Sequence, residues 1–192
     1  MPCSSAQLYQ QSALCEASKY IATLSDSILF ANVNPIGGKP VIPLGIPGCL
    51  AADVLSVQIP QLRKIATPSL CGVIYMIGSN NVGTNDFTNF QADLQATIEA
   101  MLALLPADRV LACSPPSSAD PNTAHLYAVV NTEYAAACGP LGVTMINTSV
   151  LLSIAGSSPP VGDPVNYLDG VHLSAIGWRK LLSCLNPVAS RW

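Results

Sequence analysis

Charge is scarce in this chain. Only 10% of its 192 residues are Asp, Glu, Lys or Arg, and the net charge is −3. No block of Lys or Arg occurs. Binding to phosphates leaves a basic footprint, so no nucleic-acid partner is expected. Long apolar runs are also lacking: none reaches the roughly 18 residues that a membrane span needs. Met1–Tyr20 has no basic start followed by an apolar stretch, so no plain signal peptide is expected there. A cytoplasmic protein and a secreted one without its leader both fit. Histidine is rare, with two residues far apart, and no C-x-x-C pair occurs. A structural zinc site therefore has little basis, and neither a metal nor an organic cofactor is expected.

Half of the residues are hydrophobic, enough to form a core and unlike a disordered chain. The length suits one domain spanning residues 1–192, with residues 1–18 as a helical extension around Ala6–Ser18. The seven cysteines are an odd number. Five of them, Cys49, Cys71, Cys113, Cys138 and Cys184, sit in or beside apolar stretches. They read as buried free thiols rather than a disulfide framework.

Short apolar runs alternate with longer periodic stretches. Strands are expected at Lys19–Leu24, Pro40–Leu44, Gly72–Ile77, Arg109–Cys113 and Val143–Ile146. Pro40–Leu44 is placed at an edge because of its prolines. Helices are expected at Leu50–Ile65, with Val54, Leu55, Ile59 and Leu62 as its apolar stripe, and at Phe87–Leu105, Thr123–Ala137 and Ser174–Leu185. The alternation predicts an α/β fold: a parallel sheet with helices on both faces. Ligands of such sheets gather at the carboxyl ends of the strands.

Three segments at such ends carry chemistry. Leu24-Ser25-Asp26-Ser27-Ile28 follows the first strand. A serine there presents its hydroxyl at a strand-to-helix turn, or the segment serves only as a helix cap. Tyr75-Met76-Ile77-Gly78-Ser79-Asn80-Asn81 ends the clearest strand. It offers an amide to a developing oxyanion, or it is a polar turn. Asp169-Gly170-Val171-His172 precedes the last helix. Its carboxylate can hold the imidazole Nδ1–H and leave Nε2 free for a serine proton; otherwise the aspartate caps a turn beside a surface histidine. His125, with no carboxylate close in sequence, is read as a surface or core histidine.

Taken together and in this order, these segments resemble the SGNH, or GDSL-like, hydrolases. The family's Gly-Asp-Ser corresponds to Ser25-Asp26-Ser27, its lone glycine to Gly48 within Leu44–Val54, its Gly-x-Asn-Asp to Gly78-Ser79-Asn80-Asn81, and its Asp-x-x-His to Asp169–His172. The resemblance runs from about Lys19 to Leu185. It implies a three-layer α/β/α sandwich with a flavodoxin-like parallel sheet. It also implies a nucleophile at Ser27, an acid–base pair at His172 and Asp169, and an oxyanion hole from Ser27, Gly48 and Asn80.

Two positions depart from the pattern. Ser25 replaces glycine, which is expected to shift the nucleophile slightly. Asn81 replaces aspartate and is expected to do only part of its anchoring. A second Gly-x-Asn-Asp, Gly83-Thr84-Asn85-Asp86, matches literally. It is expected to lie in a loop carried away from the sheet edge, with Asp86 capping a helix that begins near Phe87.

The implied function is a serine esterase acting on small-molecule or carbohydrate esters of short, acetyl-type acids. A non-catalytic carbohydrate-binding or structural module on the same fold is the competing reading. Specificity is expected from the loops Ala31–Lys39, Ser114–Asn122 and Ala155–Asn166. Oligomeric state is not legible.

Overall fold

The computed structural model describes residues 19–30 and 35–192. The expected helix at Ala6–Ser18 lies outside the described residues. Five strands form one parallel sheet: β1 (Tyr20–Ser25), β2 (Val41–Pro43), β3 (Leu70–Met76), β4 (Val110–Ser114) and β5 (Thr144–Asn147). Their order is β2-β1-β3-β4-β5. The helices are α1 (Ser27–Phe30), α2 (Ala51–Ile65), α3 (Ser79–Thr84), α4 (Phe90–Leu102), α5 (Ala124–Cys138), α6 (Thr148–Leu151) and α7 (Ala175–Ala189). All five expected strands form, with ends displaced by one or two residues. Among the described residues no helix is long and apolar enough to cross a membrane.

Every residue of β1, β3 and β4 is buried, as a sheet covered on both sides requires. Alternate residues feed two separate cores. Ala22, Leu24, Val73, Tyr75 and Ala112 pack with α2, α4 and α5 on one face. Ile21, Ile74, Met76, Leu111 and Cys113 pack with α1 and α7 on the other. The result is a three-layer α/β/α sandwich. Cys49, Cys71, Cys113 and Cys138 are buried and unpaired, and Cys184 is half-buried and unpaired, as their apolar surroundings suggested.

The chain leaves β1 for β2 on one side and then crosses to β3 on the other. The order in which strands are added therefore reverses between β1 and β3. Ligands of such sheets gather at this switch point, at the carboxyl ends of the strands. Ser25 is in register with Met76, so the segments that follow β1 and β3 emerge side by side.

Several local expectations are corrected. Residues 79–84 form the short helix α3 rather than a loop. The next helix starts at Phe90, not near Phe87, because Asn85 and Asn89 both take left-handed conformations, at φ 52° and 58°. Asp86 does not cap it; Asp86 Oδ1 accepts the Thr88 N–H at 3.0 Å in an exposed turn. In α2, Leu55 is 42% exposed, and Gln58 takes a fully buried place beside Val54, Ile59 and Leu62.

Candidate active site

β1 delivers Ser27 to the carboxyl edge of the sheet. Asp26 is fully buried beneath it, and its Oδ1 accepts the Ile28 N–H at 3.0 Å, capping the first turn of α1. Cap and serine, alternatives in the sequence, therefore coexist: Asp26 caps, and Ser27, half-buried, opens the helix. Burial raises the Asp26 carboxyl above its ordinary range, against the N–H groups of Ile28 and Ser79, the Ser79 hydroxyl and nearby His172, which all pull it down.

The segment before α7 supplies the other half. Asp169 Oδ1 accepts the backbone N–H groups of Val171 and His172 at 3.0 and 2.8 Å. Its second oxygen stands 2.6 Å from His172 Nδ1. The His172 N–H and ring, with the Val171 N–H, hold this carboxyl down at about 2. His172 Nε2 lies 3.1 Å from Ser27 Oγ. The structure thus joins a serine and a histidine 145 residues apart in sequence. The side chains of His172 and Asp169 remain 47% and 56% exposed, so the relay faces an open surface. His125 is exposed on α5, a surface histidine.

Gly48 lies in the turn between β2 and α2 with φ +81°, a backbone conformation suited to glycine. The carbonyl of the next residue, Cys49, accepts a hydrogen bond from Asn80 Nδ2 at 3.0 Å. The Gly48 turn and Asn80 are therefore tied together, on the strands that flank β1. One amide proton of Asn80 is used in this bond, and the amide carries a second. Asn85, by contrast, ends α3 on its exposed side. The structure brings Asn80, not Asn85, to the Gly48 turn.

Both departures from the family pattern are accommodated. The Ser25 side chain is buried, and its hydroxyl donates to the Asp26 carbonyl at 3.0 Å. The room for it comes from Gly45: a Cβ there would fall 2.4 Å from Ser25 Oγ. Asn81 is buried. Its Oδ1 accepts the Ala51 N–H at the start of α2, at 3.1 Å, and its Nδ2 donates to the Asp86 carbonyl at 2.9 Å. The second bond needs a donor that an ionised carboxylate lacks. The Asn81 amide thus serves one bond as acceptor and one as donor.

The described parts of the expected specificity loops lie at different ends of the sheet. Residues 114–118 are buried, pinned beneath the 161–170 segment by Gly162 N–H to Ser118 O at 2.9 Å and Ala119 N–H to Gly170 O at 3.0 Å. The Ile36–Lys39 turn is held at the opposite end of the sheet, where Lys39 Nζ donates to Ala189 O at 3.0 Å and the Gly37 N–H to Asn186 Oδ1 at 2.9 Å. At the end of Ala155–Asn166, the Asn166 carbonyl accepts the Ser174 N–H at 2.8 Å, two residues after His172.

No family model matches the chain, and no curated protein matches its sequence. Its fold, however, is similar to that of solved structures. A GDSL-like lipase from Bacteroides thetaiotaomicron superposes with a TM-score of 0.69 at 15% identity, covering 96% of this chain and 97% of that one. The lipase/acylhydrolase from Enterococcus faecalis gives 0.66 at 16% identity, covering 90% and 96%. A carbohydrate acetylesterase family member from Sinorhizobium meliloti gives 0.61 at 17% identity, covering 91% and 100%. With its β2-β1-β3-β4-β5 order and its two helical layers, the chain has the fold of the SGNH, or GDSL-like, hydrolases.

Proposed function

We propose that this chain is a serine esterase, with Ser27 as nucleophile, His172 as general acid–base and Asp169 as the carboxylate that orients the imidazole. The observation that carries this reading is the continuous relay Asp169–His172–Ser27, at 2.6 and 3.1 Å. Because Asp169 stays ionised down to about pH 2, it fixes the proton on Nδ1 and leaves the Nε2 lone pair facing the hydroxyl. Ser27 Oγ attacks the ester carbonyl while Nε2 accepts its proton. The oxyanion that forms is stabilised by the N–H groups of Ser27 and Gly48 and by the free amide proton of Asn80. The imidazolium then protonates the departing alcohol, leaving an acyl-serine. Water, deprotonated by the same histidine, releases the acid and restores Ser27. No step calls for a metal or organic cofactor.

The half-exposed side chains of His172 and Asp169 support small acyl groups. Leu168, 76% exposed, donates its N–H to the His172 carbonyl at 2.8 Å and gives the opening an apolar edge. Short-chain esters are the expected substrates. Hydrolysis of p-nitrophenyl esters of increasing acyl length should fall beyond short chains. Ser27→Ala should lose about 10⁴-fold or more in rate while remaining folded. A fluorophosphonate should label the parent and not the variant. A parent that neither turns over esters nor takes the label would sink this reading in favour of a binding module.

A further inference from the structure

Resting on the esterase reading, we infer that Gln58 is the positioning residue of the oxyanion hole, through an amide clamp on the last peptide groups of β1. Gln58 lies in the middle of α2 and is fully buried. Its Oε1 accepts the Ser25 N–H at 2.9 Å, and its Nε2 donates to the Ser25 carbonyl at 2.8 Å. The same Nε2 is 3.3 Å from Cys49 Sγ. Only one orientation of the amide satisfies Ser25, whose backbone offers one donor and one acceptor on that side.

The clamp stands where the sheet ladder fails. β1 and β2 are paired as far as Thr23 and Pro43. Beyond them the β2 side still donates Leu44 N–H to Thr23 O and Ile46 N–H to Ser25 O, both at 2.9 Å. The Ser25 N–H takes its acceptor from Gln58 instead of from that backbone. A glutamine amide thus completes the strand end in place of a neighbouring peptide. Residue 25 is two positions before Ser27, so the clamp fixes the approach of the Ser27 N–H.

The other oxyanion donors meet the same group. Gln58 touches the Cys49 side chain, Cys49 adjoins Gly48, and the Cys49 carbonyl receives Asn80. Gln58 therefore lies behind Ser27, Gly48 and Asn80 at once, without reaching the substrate. Small displacements of such donors are costly, because the stabilisation depends on preorganised geometry. Transition-state binding should depend on Gln58, and ground-state binding should not.

The test uses Gln58→Leu and Gln58→Glu in the full chain, with p-nitrophenyl acetate as substrate and an alkyl boronic acid as the tetrahedral probe. Gln58→Leu should lower kcat on the order of 10–100-fold, with KM within about twofold and boronate Ki weakened in proportion to kcat. Gln58→Glu supplies a readout that a packing role would not move. When protonated, its carboxyl can still accept from the Ser25 N–H and donate to the Ser25 carbonyl; when ionised it repels that carbonyl. Its activity relative to the parent should therefore rise toward one at acid pH and fall as pH increases. If Gln58→Leu does not fold, this pH-dependent ratio decides. A folded Gln58→Leu with parental kcat and boronate affinity, or a Gln58→Glu ratio flat with pH, would overturn the inference while leaving an active esterase in place. A parent inactive on esters and blind to boronate would instead overturn the esterase reading, and this inference with it.

Discussion

The two halves of the candidate site are built in opposite ways. The half that follows β1, β2 and β3 has half-buried Ser27 and Asn80 and an exposed Gly48, backed by side chains that clamp backbone: Gln58 on Ser25, Asn81 on Ala51 and Asp86, and Asn80 on Cys49. The half that precedes α7 is open, and its groups are held by a single turn, with Asp169 receiving both the backbone and the ring of its own histidine. The aspartates show the contrast most directly. Burial pushes Asp26 up, whereas hydrogen bonds to an exposed carboxylate pull Asp169 down. The donors that would stabilise charge are backed by these clamps, where preorganisation is most effective. The groups that would move protons sit at the surface, where exchange with water is easy.

The sharpest way to break this contrast is in the open half. Asp169→Asn should lower kcat on the order of 10⁴-fold, because its Oδ1 can still cap Val171 and His172 while an amide donor facing Nδ1 favours the wrong tautomer. With both side chains about half exposed, melting temperature should hardly change. The parent carboxylate keeps its charge above its folded value of about 2, so protonation of Asp169 should not limit activity above that pH. A kcat within tenfold of the parent would remove Asp169 from the mechanism.

Next in size comes the clamped half. Asn80→Ala should lower kcat by about 10²–10³, leaving KM little altered. Loss of KM alone would turn Asn80 into a substrate contact.

Asp26 tests the clamped half through stability. Its folded carboxyl is raised above the ordinary value of 3.8, so its ionisation opposes folding. That penalty is absent below 3.8, where folded and unfolded chains are both protonated, and grows as pH rises through the folded value. Asp26→Asn keeps an oxygen for the Ile28 N–H and cannot ionise. Its stability relative to the parent should be highest at alkaline pH and should fall as pH drops toward 4, read from melting curves across that range. A relative stability that rises on acidification would reverse the sign assigned to this group.

The same contrast decides what was legible in the sequence. Apolar runs announced the strands, and the amphipathic periods announced most helices, because both report burial directly. The Asp-x-x-His turn was legible because the partners of its aspartate, Val171 and His172, are local. Both of its readings hold together, since one carboxylate oxygen caps the turn and the other meets the ring. The clamps were not legible. Gln58 interrupts an apolar stripe in which Leu55 looked the better core residue, and only the end of β1 beside it explains its burial. The helix Ser79–Thr84 was hidden for a similar reason. A segment of Asn, Gly and Ser has weak helix propensity, and Asn81 holds it through bonds to residues 30 positions back and five ahead.

The smallest expected effects belong to the literal Gly-x-Asn-Asp. Gly83 and Thr84 lie in the last turn of α3, and Asn85 ends it in the left-handed conformation at φ 52°, on the exposed side. Asn80, not Asn85, is bonded to the turn that carries Gly48. Asn85→Ala should therefore change kcat by less than about tenfold. It should cost on the order of 0.5–1 kcal/mol, because alanine tolerates the left-handed region less well than asparagine. Asp86 accepts one exposed N–H, from Thr88, in place of the helix cap that its position suggested. The cost of Asp86→Ala should accordingly stay within about 0.5 kcal/mol, the range of surface substitutions, rather than the roughly 1 kcal/mol of a lost cap. The backbone bond between the Asp86 N–H and the Asn81 carbonyl, at 3.0 Å, survives the substitution and keeps the loop closed. Kinetics and melting curves for the two variants, read beside Asn80→Ala, check the register. A loss above tenfold at Asn85 with little at Asn80 would move the oxyanion donor to the far end of α3, and the clamp described for Cys49 would then serve packing alone.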